Sequence, residues 1–156
     1  MELIRCTAAD AGEIEAFLRE VDLTVTGLDA PTVRLWVERD ASGRIVASTG
    51  YELSGDGRHA LIRSVAVAAS SRTRGRGTEM AGFALEHAAA EGATTAWLFS
   101  RRSGAFWQSL GFTPAERSEL ARALAETHQV RTFTETGQLA REVAWWRELS
   151  EEFSGA

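Results

Sequence analysis

The apolar residues keep a strand period between Val33 and Tyr51. From Met80 through Ala84 to Ala88 they keep a helix period, and the change follows an eight-residue loop, SSRTRGRG, Ser70–Gly77. Alternation at every second position marks half-buried strands, and recurrence at every fourth marks one face of a helix. TTAWLFS, Thr94–Ser100, follows the helix and reads as extended again. A strand, a crossover helix and a strand make a right-handed unit whose two strands run parallel. Few topologies satisfy that order.

Upstream of the loop, Val33, Leu35 and Val37 alternate with Arg34, Trp36 and Glu38, a turn follows at Asp40–Gly43, and Ile45, Ala47, Thr49 and Tyr51 alternate in their own right. A second turn, Ser54–Gly57, leads into HALIRSVAVA, rich in strand-forming residues, so three consecutive antiparallel strands are expected. Ahead of them Glu2–Cys6 reads as a short strand. It feeds a helix that starts on the pair Thr7 and Asp10 and carries Ile14, Phe17, Leu18 and Val21 on one face. Downstream, Gly92 ends the crossover helix, RRSGAFWQSLGF predicts a short helix stopping at Gly111, and SELARALAETH predicts another. LAREVAWWREL, Leu139–Leu149, fits either a last strand or an amphipathic helix. Its tryptophans, Trp145 and Trp146, suit the core or a dimer surface.

Composition narrows the class. At 156 residues and 44% hydrophobic content, one domain over 1–149 with a tail at 150–156 is expected. Seventeen basic against 22 acidic residues argue against broad nucleic-acid binding, because the phosphate backbone favours net positive charge. Cys6 is the lone cysteine, and His59, His87 and His128 lack ligand spacing, so no metal is expected. The amino terminus lacks the basic-then-apolar pattern of a leader, and no apolar run approaches the ~18 residues of a membrane span. A cytoplasmic protein without membrane contact is the expectation.

The loop itself has chemistry. A helix start leaves backbone N–H groups unpaired and carries about half a positive charge, so glycines there let an anion reach bare amides. No Gly-Lys-Ser/Thr follows, and Gly75 and Gly77 lack the third glycine of a dinucleotide fingerprint, which sets both of those nucleotide folds aside.

Arg72-Thr73-Arg74-Gly75-Arg76-Gly77 resembles the Arg/Gln-x-x-Gly-x-Gly/Ala signature of the GNAT superfamily of acyl-CoA-dependent N-acyltransferases. AFWQSLGF resembles that family's aromatic helix, and the element order is similar over nearly the whole chain. Within the family, YELSGDGRHALIRSVAV and ERSELARALAETHQV resemble the arsenic-resistance N-acetyltransferases, which implies arsinothricin, an amino-acid-like arsenical antibiotic, as the substrate type. The resemblance implies an α/β (α+β) fold: a mixed sheet of six to seven strands flanked by helices, with an acetyl-CoA-binding strand-loop-helix. It implies acetyl-CoA as co-substrate, with backbone at Val65, Ala66 and Val67 pairing with the pantetheine arm. Arg72, Thr73, Arg74, Gly75, Arg76, Gly77 and Thr78 then cradle the pyrophosphate. Thr73 departs from a frequent glycine and Arg76 from a usual aliphatic residue, and Arg76 is expected to add a contact to a phosphate.

Direct attack of an amine on a thioester needs a neutral amine and a fate for the departing thiolate. Glu52 is the candidate base, or an anchor for a substrate ammonium, against the alternative of an exposed strand-end carboxylate. Arg63 is either a clamp for a substrate carboxylate or the partner of Glu52 in a structural ion pair. Ser64, placed on the opposite face by regular alternation, and Ser100 are candidate substrate contacts; packing and helix capping are their alternatives. At Trp107 many family members carry a tyrosine that protonates the thiolate. An indole N–H is no acid near neutral pH. Trp107 is then a cofactor-side contact and solvent the proton source, since Tyr51, the only tyrosine, should face away from Glu52. The leading expectation is acetyl transfer to the amine of a small amino-acid-like molecule, with resistance to an arsenical or phosphinic antibiotic as its narrowest form. A protein or peptide N-acetyltransferase and a non-catalytic acetyl-CoA-binding module are the alternatives, and a homodimer is a possible assembly.

Overall fold

The computed structural model describes residues 2–28, 30 and 32–149. The expected tail, 150–156, lies outside the described residues. One mixed sheet of seven strands organises the chain: β1 (Ile4–Arg5), β2 (Val33–Arg39), β3 (Ile45–Leu53), β4 (His59–Val67), β5 (Thr95–Phe99), β6 (Thr113–Ala115) and β7 (Ala144–Glu148). Their order in space is β1-β2-β3-β4-β5-β7-β6. Strands β1 to β4 are antiparallel neighbours, β4 and β5 run parallel, and β7 lies antiparallel between β5 and β6.

Five α-helices among the described residues cover the two faces. The crossover helix α2 (Arg76–Ala90) packs Ala81, Ala84, Leu85 and Ala88 against Tyr51, Ile62, Leu98 and Trp145. Three of those four are alanines with no exposure, so the helix can approach the strands closely. Shrinking Leu85 to alanine would cost about 2–5 kcal/mol, the usual penalty for a buried leucine. On the same face sits α3 (Gly104–Ser109), whose Trp107 stacks edge-on against Phe112. The opposite face is covered by α1 (Ala11–Glu20), through Ile14, Phe17 and Leu18 on Val33, Leu35 and Val37. Beside it α4 (Arg117–Ala123) and α5 (His128–Thr136) bury Leu120 and Val130 against Leu61 and Trp97.

The start before α1 forms as its residues predict: Asp10 accepts from the Thr7 amide at 2.9 Å. The tail resolves in favour of a strand. Trp145 and Trp146 pair with Leu98 and Trp97 of β5, and both pack within the fold. The segment SELARALAETH is helical only to Ala123; Thr127 then caps a separate helix, α5, which periodicity did not predict. No helix among the described residues is long and apolar enough to cross a membrane.

Two irregularities open the sheet. The β3–β4 register shifts between Ser48 and Gly50, and Ser64 on β4 has φ +60°, the left-handed region that side chains rarely adopt. Beyond this bulge β4 and β5 part. Their ladder holds only His59–Leu61 against Thr95–Trp97, so Ile62 to Val67 present one sheet edge without a partner strand.

Candidate active site

A cleft of about 830 Å³ fills the space between the parting strands. One wall is β4 from Ile62 to Val67, and the other is Phe99 to Ser103 at the end of β5. The loop Arg72–Thr78 and the rings of Phe106 and Trp107 close one end. Val21–Thr24, Gln129, Phe133, Gln138 and Glu142 line the other.

At the first end the loop is built to turn sharply into α2. Gly75 has φ +88°, a value that costs a side-chain-bearing residue about 1–2 kcal/mol. Arg76 N–H donates to Thr73 O at 3.2 Å and Glu79 N–H to Gly75 O at 2.9 Å. The amides of Gly77 and Thr78 belong to the first turn, where a helix offers no acceptor. Arg72 Nε fastens the loop to the end of β4 by donating to Val67 O at 3.1 Å. These bare amides at a helix start suit a pyrophosphate, and the open edge of β4 suits an extended chain with amide groups, as pantetheine has. Acetyl-CoA therefore fits the residues present. Arg76 departs from expectation: its guanidinium pairs with Glu38 of β2. The side chain is thereby held toward the sheet.

Arg63 lines the cleft by its main chain, and its side chain lies behind the β4 wall with 0% exposure. Its Nη1 donates to Glu52 Oε2 at 3.0 Å and its Nε to Ser64 Oγ at 3.2 Å, while Nη2 is buried without a partner. The expectation that Arg63 and Ser64 occupy opposite faces fails for a physical reason: the bulge at Ser64 breaks the alternation, so the Ser64 hydroxyl comes within reach of Arg63 Nε. Burial pulls the guanidinium below its ordinary range, and Glu52 opposes that pull. Glu52 itself does not line the cleft. Its oxygens accept from Arg63, from His128 N–H at 2.6 Å and from Gln129 N–H at 3.3 Å, so it caps α5 as well as pairing with Arg63.

The remaining candidates sort by contact. Tyr51 is buried on the α2 face and donates to Glu91, away from the cleft, and burial pushes its hydroxyl pKa well up. Trp107 lines the cleft edge-on to Phe106. Ser100 also lines it, yet its Oγ accepts from Ser103 N–H at 3.0 Å and its carbonyl accepts from Trp145 Nε1 at 2.9 Å. No group of three or more His, Cys, Asp or Glu among the described residues could hold a metal. Sequence reasoning missed Gln129 and Glu142, which reach the cleft from α5 and from the residue two before β7. Neither carries a local signal, because only the fold brings the last third of the chain back to β5.

The sequence profile of the acetyltransferase (GNAT) family matches residues 4–112, most of the chain and all of the strand-loop-helix. The chain belongs to the GNAT family. A GNAT enzyme is an acetyltransferase with acetyl-CoA as co-substrate, and this protein is an N-acetyltransferase of that type. Solved GNAT-like structures share the fold at low identity. N-acetylglutamate synthase from Neisseria gonorrhoeae, in complex with coenzyme A and N-acetyl-glutamate, is 14% identical with a TM-score of 0.68. The alignment covers 97% of this chain and 36% of the synthase, so this GNAT chain spans about a third of that protein. A Mycobacterium tuberculosis protein in complex with CoA is 15% identical (TM-score 0.69), with 96% of this chain and 100% of that one covered. An aminoglycoside 6'-N-acetyltransferase complexed with coenzyme A is 10% identical (TM-score 0.68), with 96% and 98% covered. No curated protein sequence gives a significant match.

Proposed function

We propose that this GNAT enzyme acetylates the amine of a small amino-acid-like molecule that also carries an acid group. In its narrowest form the substrate is an arsenical or phosphinic antibiotic, and acetylation confers resistance. The observation that carries the reading is Arg63, a cleft-lining residue whose Nη2 has no hydrogen-bond partner among the described residues; that atom is closed off from solvent, so the side chain shifts to present it when the acceptor binds. Buried donors are nearly always bonded, and an arginine fork matches a carboxylate or phosphinate. The synthase of similar fold was solved with an acetylated amino acid, which is consistent with such an acceptor. The narrower antibiotic reading rests on the resemblance of Tyr51–Val67 and Glu116–Val130 to the arsenic-resistance enzymes.

In this account the amides of Thr73 to Thr78 hold the pyrophosphate and the free edge of β4 at Val65–Val67 pairs with pantetheine. Trp107 closes the cleft beside them. Acetyl-CoA supplies an acetyl group activated as a thioester. Ser64 and Ser100 lie along the walls near the acceptor. Glu52 acts as a positioning residue, holding Arg63 and the start of α5, since its oxygens already accept three bonds.

The test is thiol release from acetyl-CoA with arsinothricin, phosphinothricin, glutamate, aspartate, their acid-blocked amides and basic peptides. Turnover on free acids with KM raised for the amides supports the reading. Turnover on peptides alone, or equal KM for acid and amide, overturns it.

A further inference from the structure

Two carboxylates line the cleft, Asp22 and Glu142, and they differ in what they touch. Asp22 is 80% exposed at its side chain and paired with Arg102 Nη2 at 2.6 Å across the mouth. Glu142 is only 6% exposed. Its Oε2 accepts from Gln138 Nε2 at 2.9 Å and faces Arg101 Nε at 3.5 Å. Its Oε1 accepts no hydrogen bond from the described residues, and the residue lines the cleft. The backbone holds it there: Ser100 N–H donates to Val143 O at 2.9 Å, which continues the β5–β7 ladder and sets Glu142 beside the end of β5.

We infer that Glu142 Oε1 receives the substrate ammonium and is the catalytic base that frees the amine. This rests on the proposal of a small amine acceptor and deepens it. Arg63, once its side chain shifts into the cleft, takes the acid group, and Glu142 takes the ammonium, an arrangement suited to a zwitterion. A nearly buried carboxylate with one oxygen committed and one free has the right asymmetry: the committed oxygen fixes orientation, and the free one accepts the proton. Glu52, by contrast, has no oxygen to offer. Arg101 lies beside Glu142, and the cleft lining also carries Arg63, Arg72, Arg76 and, at the mouth, Asp22 paired with Arg102. Arg117 reaches its backbone, donating to Glu142 O at 3.4 Å. The ammonium gives one proton to Glu142 and so exposes the nitrogen lone pair. Formation of the N–C bond at the acetyl carbon then breaks the C–S bond; the nitrogen sheds its second proton to solvent, and solvent supplies one to the thiolate.

The experiment compares wild type with Glu142→Gln and Glu142→Asp, using whichever amine of the panel wild type turns over fastest. That choice separates the inference from the acid-group reading, which could fail while an amine acceptor still exists. Glu142→Gln should lower kcat/KM at least a hundredfold and flatten the acidic limb of its pH profile, with an unchanged melting shift from acetyl-CoA. Glu142→Asp should recover part of the rate and restore the acidic limb. A binding readout accompanies the rates: in the presence of CoA, Glu142→Gln should weaken the amine at least tenfold, yet bind the desamino analogue as wild type does. A glutamine variant that keeps the wild-type pH profile, or that weakens amine and desamino analogue equally, overturns the inference.

Discussion

Arg63 and Glu52 meet at 3.0 Å with side-chain exposures of 0 and 1%, and the same carboxylate accepts the first amides of α5. One residue thereby ties β3, β4 and a helix that begins 76 positions further along the chain. Removing one partner of a buried pair leaves an uncompensated charge and costs about 3–5 kcal/mol, whereas replacing both by apolar groups is often neutral. Glu52→Ala should therefore lower the urea midpoint strongly, and the double variant Glu52→Leu with Arg63→Met should regain much of the loss. Turnover in Glu52→Gln should fall no further than stability explains, with the pH–rate profile keeping its acidic limb. A flattened acidic limb would make Glu52 the base instead.

In the proposed reading Arg63 carries the preference for an acid-bearing amine. Arg63→Met in the Glu52→Leu background should raise KM for the acid far more than for its amide, by the equivalent of roughly 1.5–3 kcal/mol for a charged hydrogen bond. Steady-state kinetics on the matched pair of amines measures it. Equal losses on both would leave Arg63 as scaffolding.

The cradle makes a prediction about Gly77, where an added Cβ would meet the Phe106 ring at 3.4 Å, an ordinary contact. Gly77→Val should fold, since valine is a better helix former than glycine, and lose the melting shift that acetyl-CoA gives wild type. Acetyl-CoA at a hundred times its dissociation constant should add about 2.7 kcal/mol to wild type. An undiminished shift in the variant would remove the loop from the binding account.

Much of this was legible in the sequence, for identifiable reasons. The strands from Val33 to Val67, the Gly75 turn and the crossover helix follow from local signals: alternation, turn residues and a change of period. The bulge at Ser64 was not legible, because a serine at φ +60° is held there by the β3–β4 register and not by its own preference. Helix α5 was missed since HQVRTFTET is rich in β-branched residues, and Glu52, distant in sequence, supplies part of its cap. Glu142 has no motif at all. Its place depends on β7 inserting between β5 and β6, a pairing that the ambiguous LAREVAWWREL could not reveal.

Cys6 provides a pH prediction. Burial first, then the nearby Asp10, push its thiol up to about 11 from the usual 9.0. The native state thus binds the proton more tightly than the unfolded chain, so this contribution to stability is full below pH 9 and is lost as pH rises toward 11. Alkylation of the native protein should accelerate with a midpoint near pH 11, and Cys6→Ala should show a shallower alkaline loss of stability than wild type. A midpoint near 9 would contradict the buried setting.

Tyr51 should be dispensable for chemistry. Its hydroxyl donates to Glu91 on the α2 face, so Tyr51→Phe should keep most of the turnover and lose about 0.5–1.5 kcal/mol of stability with the hydrogen bond. A loss of turnover beyond a hundredfold at intact acetyl-CoA binding would instead place a tyrosine acid in the mechanism.

The central claim is that the parting of β4 and β5 makes one cleft, with acetyl-CoA at the α2 end and an acid-bearing amine at the Arg63 end. A crystal structure with CoA and the acetylated product tests it most directly. The account predicts pyrophosphate oxygens on the amides between Thr73 and Thr78, pantetheine paired with the backbone of Val65–Val67, and the product's acid group on Arg63 Nη2. Pyrophosphate held elsewhere, or a product whose acid group lies away from Arg63, would contradict it.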